Sequence, residues 1–325
     1  MADFNMEYTA LCNTGKVREK NQDNIWCDSF YLESENNGLE KGLTVVTGIA
    51  PTSALCVFDG MGGEKQGEVA AYIAAKTFNN SYKNREIDDP QAFLTESCLE
   101  MNSKICQYQQ SNHIRNMGTT AAILFCGIDE VYTCNLGDSR IYSFSEGELK
   151  QLSQDHVHIG YNSKKTPLTQ SLGIPESEFI IEPFISKNEY RHNDRYLLCS
   201  DGLTDMVSDE DIAGIFSKGL SVRETAETLM SMALENGGID NTTIIICELR
   251  NAQLGAQSSE IKEDRDNTCS KCSKPITEKV QFCNNCADSK AKAENKKRNK
   301  WLIASSIAVV AAIAAIVIFI FAAYK

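Results

Sequence analysis

Residues 53–63, with the sequence SALCVFDGMGG, join a short apolar run to an acidic, glycine-rich end. The apolar run has the length and residue types of a buried β-strand. Asp59 and Gly60 directly after it are typical of a tight turn, because glycine adopts backbone conformations that other residues avoid. The segment therefore predicts a core strand that leads straight into an acidic turn.

The same arrangement recurs along the chain, with an aspartate where an apolar run enters or leaves the predicted core. Asp138 and Asp201 follow such runs, whereas Asp23 and Asp240 precede them. Any one of these residues could be an ordinary turn aspartate, since Asp-Gly is more often a turn than a ligand. The spacing alone does not show that the five aspartates converge.

Half-buried carboxylates that do converge repel one another unless a positive charge lies between them. Divalent cations with oxygen ligands meet this requirement. Two bridged metal ions can activate a water molecule and hold a phosphoryl group. A metal site with phosphoryl chemistry is therefore the hypothesis that the aspartates suggest, with turn residues as the alternative.

Hydrophobic patterns predict an α+β fold with antiparallel sheets, because the helical segments lie between hairpins rather than after every strand. The predicted strands are residues 7–11, 24–32, 53–58, 119–126, 130–135, 140–144, 195–199 and 242–249. The predicted helices are residues 64–81, 90–111, 208–216 and 222–236.

Charge and cysteine content limit the class of protein. The chain of 325 residues has a formal net charge of −12, which argues against nucleic acid as a partner. Most of the 13 cysteines lie in apolar runs, where a thiol acts as a small hydrophobic group. Their odd number, and an N-terminus without a basic stretch followed by apolar residues, favour a reducing compartment.

Composition divides the chain into a large domain and four shorter segments. We assign residues 1–250 to the large domain, 251–268 to a linker, 269–286 to a zinc ribbon, 287–300 to a basic juxtamembrane segment and 301–324 to a transmembrane helix. The linker is polar and aperiodic, as is typical of segments without a packed core.

The zinc ribbon is predicted from two C-x-x-C pairs, Cys269 with Cys272 and Cys283 with Cys286. Two such pairs supply four thiolates for a tetrahedral Zn²⁺ site. A redox pair or a chance spacing is the alternative, but so short a polar segment offers thiols no core to fill. We expect the segment to fold around its metal and to serve in docking or partner recognition.

Residues 301–324 carry no charged side chain and are rich in Ile, Ala, Val, Leu and Phe. About 20 apolar residues span a bilayer as a helix. Basic residues within 296–300 come just before this span, and the positive-inside tendency then places the large domain in the cytoplasm. We therefore expect a single-pass protein of the cell membrane with a cytoplasmic large domain.

A series of short motifs covers about residues 5–250. They are residues 18–23 (REKNQD), 58–63 (FDGMGG), 67–70 (GEVA), 117–120 (MGTT), 135–140 (NLGDSR), 152–156 (LSQDH), 168–173 (LTQSLG), 200–203 (SDGL) and 240–243 (DNTT). In kind and order they resemble the metal-dependent protein phosphatase family (PPM, the protein phosphatase 2C type) in its bacterial form.

This resemblance implies a four-layer α-β-β-α sandwich of two antiparallel sheets flanked by helices. It also implies a dinuclear centre of Mn²⁺ or Mg²⁺. Asp59 would bridge the two ions. The Gly60 carbonyl would bind one ion, and Asp201 and Asp240 would complete the other.

The resemblance implies three further roles. Asp23 would act through a metal-bound water, and Asp138, with Asp201, would hold a third and weaker metal. Arg18 would grip the substrate phosphate, a task that suits a planar guanidinium. The implied reaction is in-line attack of a metal-activated water on phosphorus, without a phosphoenzyme.

The chain departs from the family in one place, because Met61 stands where eukaryotic members have a histidine. A general-acid role is therefore not transferred, and we interpret His156 and His158 as structural or surface residues. Cys134 precedes Arg140 with the spacing of a Cys-x5-Arg nucleophile loop. The intervening Asp138, however, stands where such a loop needs bare amides, so Cys134 is interpreted as a core residue.

Residues 157–187 correspond to the variable flap of the family. Lys164 and Lys165 in this segment could contact an acidic phosphopeptide, and a solvated loop is the alternative.

Together these features predict a protein serine/threonine phosphatase that acts on phosphoprotein substrates and opposes a Ser/Thr protein kinase at the membrane. A non-catalytic phosphoprotein-binding or zinc-ribbon adaptor is the alternative. A pseudo-enzyme usually lacks a metal-binding aspartate, whereas here the full set is present. Small phosphoesters are a further alternative class of substrate.

Overall fold

The computed structural model describes residues 4–48, 53–62, 66–127, 130–158 and 167–251. The strands are β1 Phe4–Asn13, β2 Asn24–Cys27, β3 Phe30–Tyr31, β4 Leu39–Gly48, β5 Ser53–Phe58, β6 Gly60–Met61, β7 Gly118–Thr119, β8 Ala121–Cys126, β9 Glu130–Leu136, β10 Arg140–Ser145, β11 Glu148–Gln151, β12 Phe184–Glu189, β13 Arg195–Cys199 and β14 Thr242–Asn251. The helices are α1 Gly67–Lys83, α2 Pro90–Asn112, α3 Asp201–Thr204, α4 Asp209–Phe216 and α5 Val222–Glu235.

The strands form two six-stranded sheets and a small two-stranded ladder of β6 and β7. The first sheet has the order β11-β10-β13-β14-β1-β4, and the second has the order β12-β9-β8-β5-β2-β3. All of their strand pairs are antiparallel. In the first sheet β1 pairs with β14 along its whole length, from Phe4 opposite Asn251 to Asn13 opposite Thr242.

The central strands are buried on both faces, which explains their continuous apolar sequences. In β5, Leu55 and Val57 point into the layer between the two sheets, whereas Cys56 and Phe58 point toward α1 and α2. Successive side chains of a strand alternate between its faces. Both faces therefore have to be apolar when each is covered.

The first sheet has the same double coverage. Ile245 and Cys247 of β14 pack between the sheets, whereas Ile244 and Ile246 pack against Ile212 and other apolar side chains of α4 and α5. The layers therefore run α1/α2, second sheet, first sheet, α4/α5. The two antiparallel sheets flanked by helices that the sequence predicts are confirmed.

Capping residues mark the N-terminal ends of α2 and α5. Asp89 accepts hydrogen bonds from the backbone N–H groups of Gln91 and Ala92, both at 3.0 Å, and Pro90 occupies the first turn of α2. Such an N-cap satisfies N–H groups that have no partner within the helix. Ser221 and Glu224 form a reciprocal capping box at the start of α5.

Several predicted boundaries are corrected by the structure. The strand expected over 24–32 is broken by a turn at Asp28 and Ser29, where φ is +46° and +75°. The strand expected over 119–126 is interrupted at Thr120, and the first helix begins at Gly67 instead of residue 64. The last residues of the expected flap, 184–187, belong to β12.

The predicted linker, zinc ribbon, basic segment and membrane span all lie beyond residue 251, outside the described residues. Lys164 and Lys165 of the expected flap also lie outside them. Within the described part of the chain, no helix combines the length and apolar character needed to cross a membrane.

Candidate active site

The antiparallel topology brings the acidic strand ends to one side of the sandwich. Asp59 follows β5, and β9, which leads to Asp138, runs in the same direction as β5 because each is antiparallel to β8. Asp201 follows β13 and Asp240 precedes β14, which is antiparallel to β13. These four residues therefore lie where ends of both sheets meet.

At this place the structure has a cleft of about 500 Å³. It is lined by Arg18, Gln22, Asp59, Gly60, Met61, Gly62, Asp138, Arg140, Asp155, Val157, Pro167, Leu168, Asp201, Thr204, Asp205 and Asp240. Six of the seven residues predicted to act at the phosphatase centre are in this lining. The exception is Asp23, which lies behind it.

Thr119 and Thr120, at the interruption between β7 and β8, hold the backbone of Asp59. The Asp59 N–H donates to the Thr120 hydroxyl at 3.0 Å, and the Thr120 N–H donates to the Asp59 carbonyl at 2.9 Å. The Thr119 hydroxyl donates to the same carbonyl at 2.9 Å. The main chain of Asp59 is thus held from both sides while its carboxylate faces the cleft.

Asp23 is 1% exposed and lies beneath the cleft. The hydroxyls of Ser200 and Thr243 donate to its Oδ2 at 2.9 and 2.6 Å. Its Oδ1 has no hydrogen-bond partner among the described residues. A buried carboxylate oxygen without a donor is costly, so this atom is suited to a ligand or a water molecule.

The carboxylates influence one another strongly. Burial raises the pKa of Asp59 well above its ordinary range, and the negative charges of Asp23, Asp201 and Asp138 raise it further. Burial likewise raises the pKa of Asp23 to about 7, although the hydroxyls of Thr243 and Ser200 oppose this shift. A concentration of negative charge in a buried setting favours the binding of cations.

Arg18 is a cation at the rim of this cleft. Its Nη2 donates to Asp240 Oδ2 at 2.7 Å, and its side chain is 40% exposed. The hydrogen bond to Asp240, together with the nearby charges of Asp59 and Asp201, raises the pKa of Arg18. The guanidinium therefore remains charged and lies next to three carboxylates at a position that solvent reaches.

Two glycines allow the backbone to pack closely around the acidic residues. A Cβ at Gly60 would lie 2.3 Å from the carbonyl oxygens of both Gln22 and Gly67. A Cβ at Gly202 would lie 2.0 Å from the carbonyl oxygen of Asn241. Neither position accepts a side chain without displacement of the main chain.

The donor set suits a hard divalent cation, since it consists of carboxylates, a backbone carbonyl and an unpaired buried oxygen. Within the described residues, no three His, Cys, Asp or Glu side chains are placed to hold a single metal ion by themselves. Mg²⁺ is usually held by only one or two carboxylates and keeps several waters. The aspartates that line the cleft therefore fit such an ion in their chemistry.

Two further residues of the cleft, Arg140 and Asp155, were not predicted to act there. The Arg140 Nε donates to both oxygens of Asp155, at 3.1 and 2.9 Å, and its Nη2 donates to Asp155 Oδ2 at 2.7 Å. Arg140 therefore anchors Asp155 at the cleft wall. Arg140 lies in the motif NLGDSR and Asp155 lies in the motif LSQDH. The motifs mark both residues, but the sequence does not show that the two side chains form an ion pair.

His156 and Cys134, which could be mistaken for catalytic groups, are buried and contact other parts of the protein. His156 is 9% exposed, and its Nδ1 accepts the Gly137 N–H at 3.2 Å. Cys134 is fully buried, with its Sγ 3.6 Å from that of Cys98. The hydrogen bond with Cys98, followed by burial, raises the pKa of the Cys134 thiol well above its ordinary value. A thiol of that kind is a poor nucleophile.

A family model described as "Protein phosphatase 2C" matches residues 45–236 of the chain. The serine/threonine phosphatase stp of Listeria welshimeri is 29% identical over 264 residues, which cover 75% of this chain and 96% of that relative. The serine/threonine protein phosphatase PstP of Mycobacterium tuberculosis is 30% identical over 265 residues, which cover 77% of this chain and 46% of PstP.

Solved structures give the same result. The chain is similar to the crystal structure of the catalytic domain of PstP in complex with two manganese ions, with a TM-score of 0.62 and 27% identity over 76% of this chain and 99% of that chain. A serine/threonine phosphatase structure from S. agalactiae has a TM-score of 0.62 and 25% identity over 74% of this chain and 98% of that one.

Proposed function

Because the chain belongs to the protein phosphatase 2C family and is a metal-dependent protein serine/threonine phosphatase, we propose that the acidic cleft is its reaction centre. Asp59, the Gly60 carbonyl, Asp201 and Asp240 would hold two Mn²⁺ or Mg²⁺ ions. When bound, the ions activate a water molecule and neutralise charge on the phosphoryl oxygens.

The observation that carries this proposal is the convergence of four predicted aspartates, Asp59, Asp138, Asp201 and Asp240, with Arg18 on one cleft of about 500 Å³. The manganese ions of the PstP structure support the choice of metal. Asp138 lines the same cleft and, with Asp201, would hold a third and weaker metal ion. Asp23 acts from behind through water, which its buried Oδ1 can receive.

Arg18 is the proposed contact of the substrate phosphate. A guanidinium has five N–H donors, and among the described residues it gives one of them to Asp240. Its exposed part can bind phosphate in a bidentate manner. Arg18 thus supplies orientation and positive charge where a phosphoserine or phosphothreonine enters.

The test uses the full chain and a phosphothreonine peptide, with Mn²⁺ or Mg²⁺ added to metal-free protein. We expect metal-dependent release of phosphate that is lost in Asp201→Ala. Asp88→Ala, which changes an exposed aspartate before α2, is the matched control and should retain activity. Undiminished hydrolysis by Asp201→Ala would reject the proposed centre, and hydrolysis of small phosphoesters without any of the peptide would reject the substrate class.

We also propose, from the sequence, that residues 301–324 anchor the protein in the cell membrane with the phosphatase domain in the cytoplasm. The support is an uncharged apolar segment preceded by basic residues. A chain truncated before Trp301 should leave the membrane fraction. Retention of the truncated chain in that fraction would reject the anchor.

The four paired cysteines are proposed to hold one Zn²⁺ in a ribbon that serves docking. Full-length protein should contain one equivalent of zinc, which replacement of Cys269, Cys272, Cys283 and Cys286 by serine removes. Equal zinc content in the two proteins would reject the site. Loss of zinc without any change in phosphatase activity or in binding partners would reject the docking role.

A membrane-associated Ser/Thr protein kinase is the proposed counterpart of this enzyme, since a tethered phosphatase acts on phosphoproteins near the membrane. Cells that lack the phosphatase should accumulate phosphoserine and phosphothreonine on membrane proteins. Restoration of normal phosphorylation by the chain truncated before Trp301, to the same extent as by the full chain, would count against a function at the membrane.

A further inference from the structure

One buried amide holds the segment that carries Arg18. The Nδ2 of Asn241 donates to the carbonyl oxygens of Thr14 and Lys20, both at 2.9 Å. Its Oδ1 accepts the N–H of Gln22 at 2.8 Å. Both N–H donors and the carbonyl of a single side chain are thus used on the two ends of residues 14–22, and Arg18 lies between those ends.

Asn241 is itself firmly placed. It is 4% exposed, and its N–H donates to Asp240 Oδ1 at 2.9 Å. Its carbonyl oxygen lies against Gly202 so closely that a Cβ there would be 2.0 Å away. The amide therefore reaches residues 14–22 from a rigid base formed by the start of α3 and the start of β14.

The C-terminal part of the held segment has further side-chain contacts, since Lys20 and Gln22 both donate to Glu68, at 3.3 and 3.0 Å. The Lys16 N–H donates to the Gly238 carbonyl at 2.7 Å, and Arg18 itself contacts Asp240. Residues 14–23 contain no helix or strand. A long side chain on such a segment loses considerable conformational entropy when it is ordered, so the main-chain anchor decides how well Arg18 is preorganised.

We propose that Asn241 is a positioning residue, which sets Arg18 for the substrate phosphate by clamping residues 14–22. This inference rests on the phosphate-binding role of Arg18 proposed above. Asn241 has no contact with substrate in this proposal. Preorganisation of a binding group lowers the entropic cost of binding, so loss of the clamp should act mainly on substrate affinity.

The first experiment compares Asn241→Ala and Asn241→Asp with Arg18→Ala in the full chain, with a phosphothreonine peptide as substrate. Asp keeps the size of the side chain and the acceptor for Gln22, but it cannot donate to Thr14 or Lys20. We expect both Asn241 variants to raise KM about tenfold, as for the loss of a hydrogen bond to a charged group, with a smaller change in kcat.

The second measurement distinguishes a role of Asn241 in positioning Arg18 from a general disturbance of the active site. If Asn241 acts through Arg18, the double variant Arg18→Ala/Asn241→Ala should be no worse than Arg18→Ala alone, since effects on one shared interaction are not additive. Hydrogen exchange of the Gln22 amide should be faster in Asn241→Ala and protected in Asn241→Asp. The Mn²⁺ concentration for half-maximal activity should be unchanged.

Asn236→Asp is the matched control, because that exposed asparagine also donates through Nδ2, to the Met206 carbonyl at 2.8 Å, and should leave KM unchanged. Additive losses, or a raised Mn²⁺ requirement, would overturn the inference in favour of an effect through Asp240. If the Asn241 variants have wild-type kinetics while Arg18→Ala is impaired, the clamp is rejected and the phosphate-binding role of Arg18 is retained. An unimpaired Arg18→Ala would reject the phosphate role and the clamp together.

Discussion

Thr120 shows how a single residue can prepare the acidic cleft. It is fully buried at the gap between β7 and β8, and its hydroxyl accepts from the Asp59 N–H and lies 2.6 Å from the Ser139 hydroxyl. Ser139 directly follows Asp138, so Thr120 links the main chain of Asp59 to the β9–β10 connection. The interruption of the strand therefore ties two parts of the site together.

Thr120→Val should destabilise the fold by about 1–3 kcal/mol, because an isosteric apolar group leaves the Asp59 N–H without its acceptor. It should also lower activity at limiting Mn²⁺, since Asp59 is less firmly held. Thr133→Val is the matched control, with a buried hydroxyl that pairs with Ser186 at 3.0 Å. Denaturant unfolding and Mn²⁺ titrations of activity measure the two effects. Equal Mn²⁺ requirements of the two variants would contradict this role.

Gly202→Ala should abolish activity and strongly destabilise the domain. The new methyl group would meet the Asn241 carbonyl, which is backbone and cannot rotate away, whereas Gly214 in α4 has nothing within 4 Å of an added Cβ. Gly214→Ala should instead stabilise the protein by about 0.5–1 kcal/mol, because glycine is unfavourable within a helix. Thermal unfolding of the two variants gives the comparison. Shifts of the same sign would show that the close approach at Gly202 is not rigid.

At the scale of elements, helix caps could be predicted from local sequence. Asp89 followed by Pro90 marks the start of α2, and the structure shows the cap contacts at 3.0 Å. Strand β4 could not be predicted in this way. Gly42, with φ +69°, interrupts its pattern near the place where its register with β1 shifts, between Ala10 and Cys12. A bulge of this kind is set by the partner strand.

Asp89→Ala should cost about 1 kcal/mol of stability, which is typical of the loss of an N-cap. The helix has 23 residues and covers the second sheet, so the cost should appear in global unfolding. Asp88→Ala changes the preceding exposed aspartate, outside the cap, and should change stability little. Urea unfolding of both proteins measures the difference. An equal effect of the two substitutions would argue for a general charge effect.

At the scale of the whole molecule, the sequence could place the aspartates at strand boundaries but could not bring them together. Their roles came from family resemblance, and their convergence depends on antiparallel pairings between strands remote in sequence. Asp23 shows the limit of local pattern, since it resembles the others but lies behind the cleft. The Asn241 clamp was also beyond reach, because it joins residues more than 200 positions apart.

The fold of the phosphatase domain should be less stable without metal than with it. Mn²⁺ at 100 times its dissociation constant should add about 2.7 kcal/mol by mass action. Asp59→Asn removes one of the mutually repelling carboxylates, so the metal-free variant should be more stable than the metal-free parent. The variant should gain less from Mn²⁺ and should not hydrolyse a phosphopeptide.

Thermal unfolding with chelator and with Mn²⁺ gives these four stabilities, and Asp88→Asn serves as the control for the loss of an exposed charge. An equal gain from Mn²⁺ in the parent and in Asp59→Asn would show that Asp59 does not contribute to metal binding. Lower stability of metal-free Asp59→Asn would show that its contacts outweigh the repulsion.

The pairing of β1 with β14 has a consequence for synthesis of the protein. Strand β1 lies between β4 and β14, and its pairing with β14 must wait until the end of the domain has been made, because Phe4 is opposite Asn251. Contacts between such remote residues slow folding. A ribosome-bound chain that ends before β14 lacks Asp240, Asn241 and the strand that completes the sheet. We therefore expect phosphatase activity only after nearly the whole domain has been translated, so that unfinished chains do not dephosphorylate substrates.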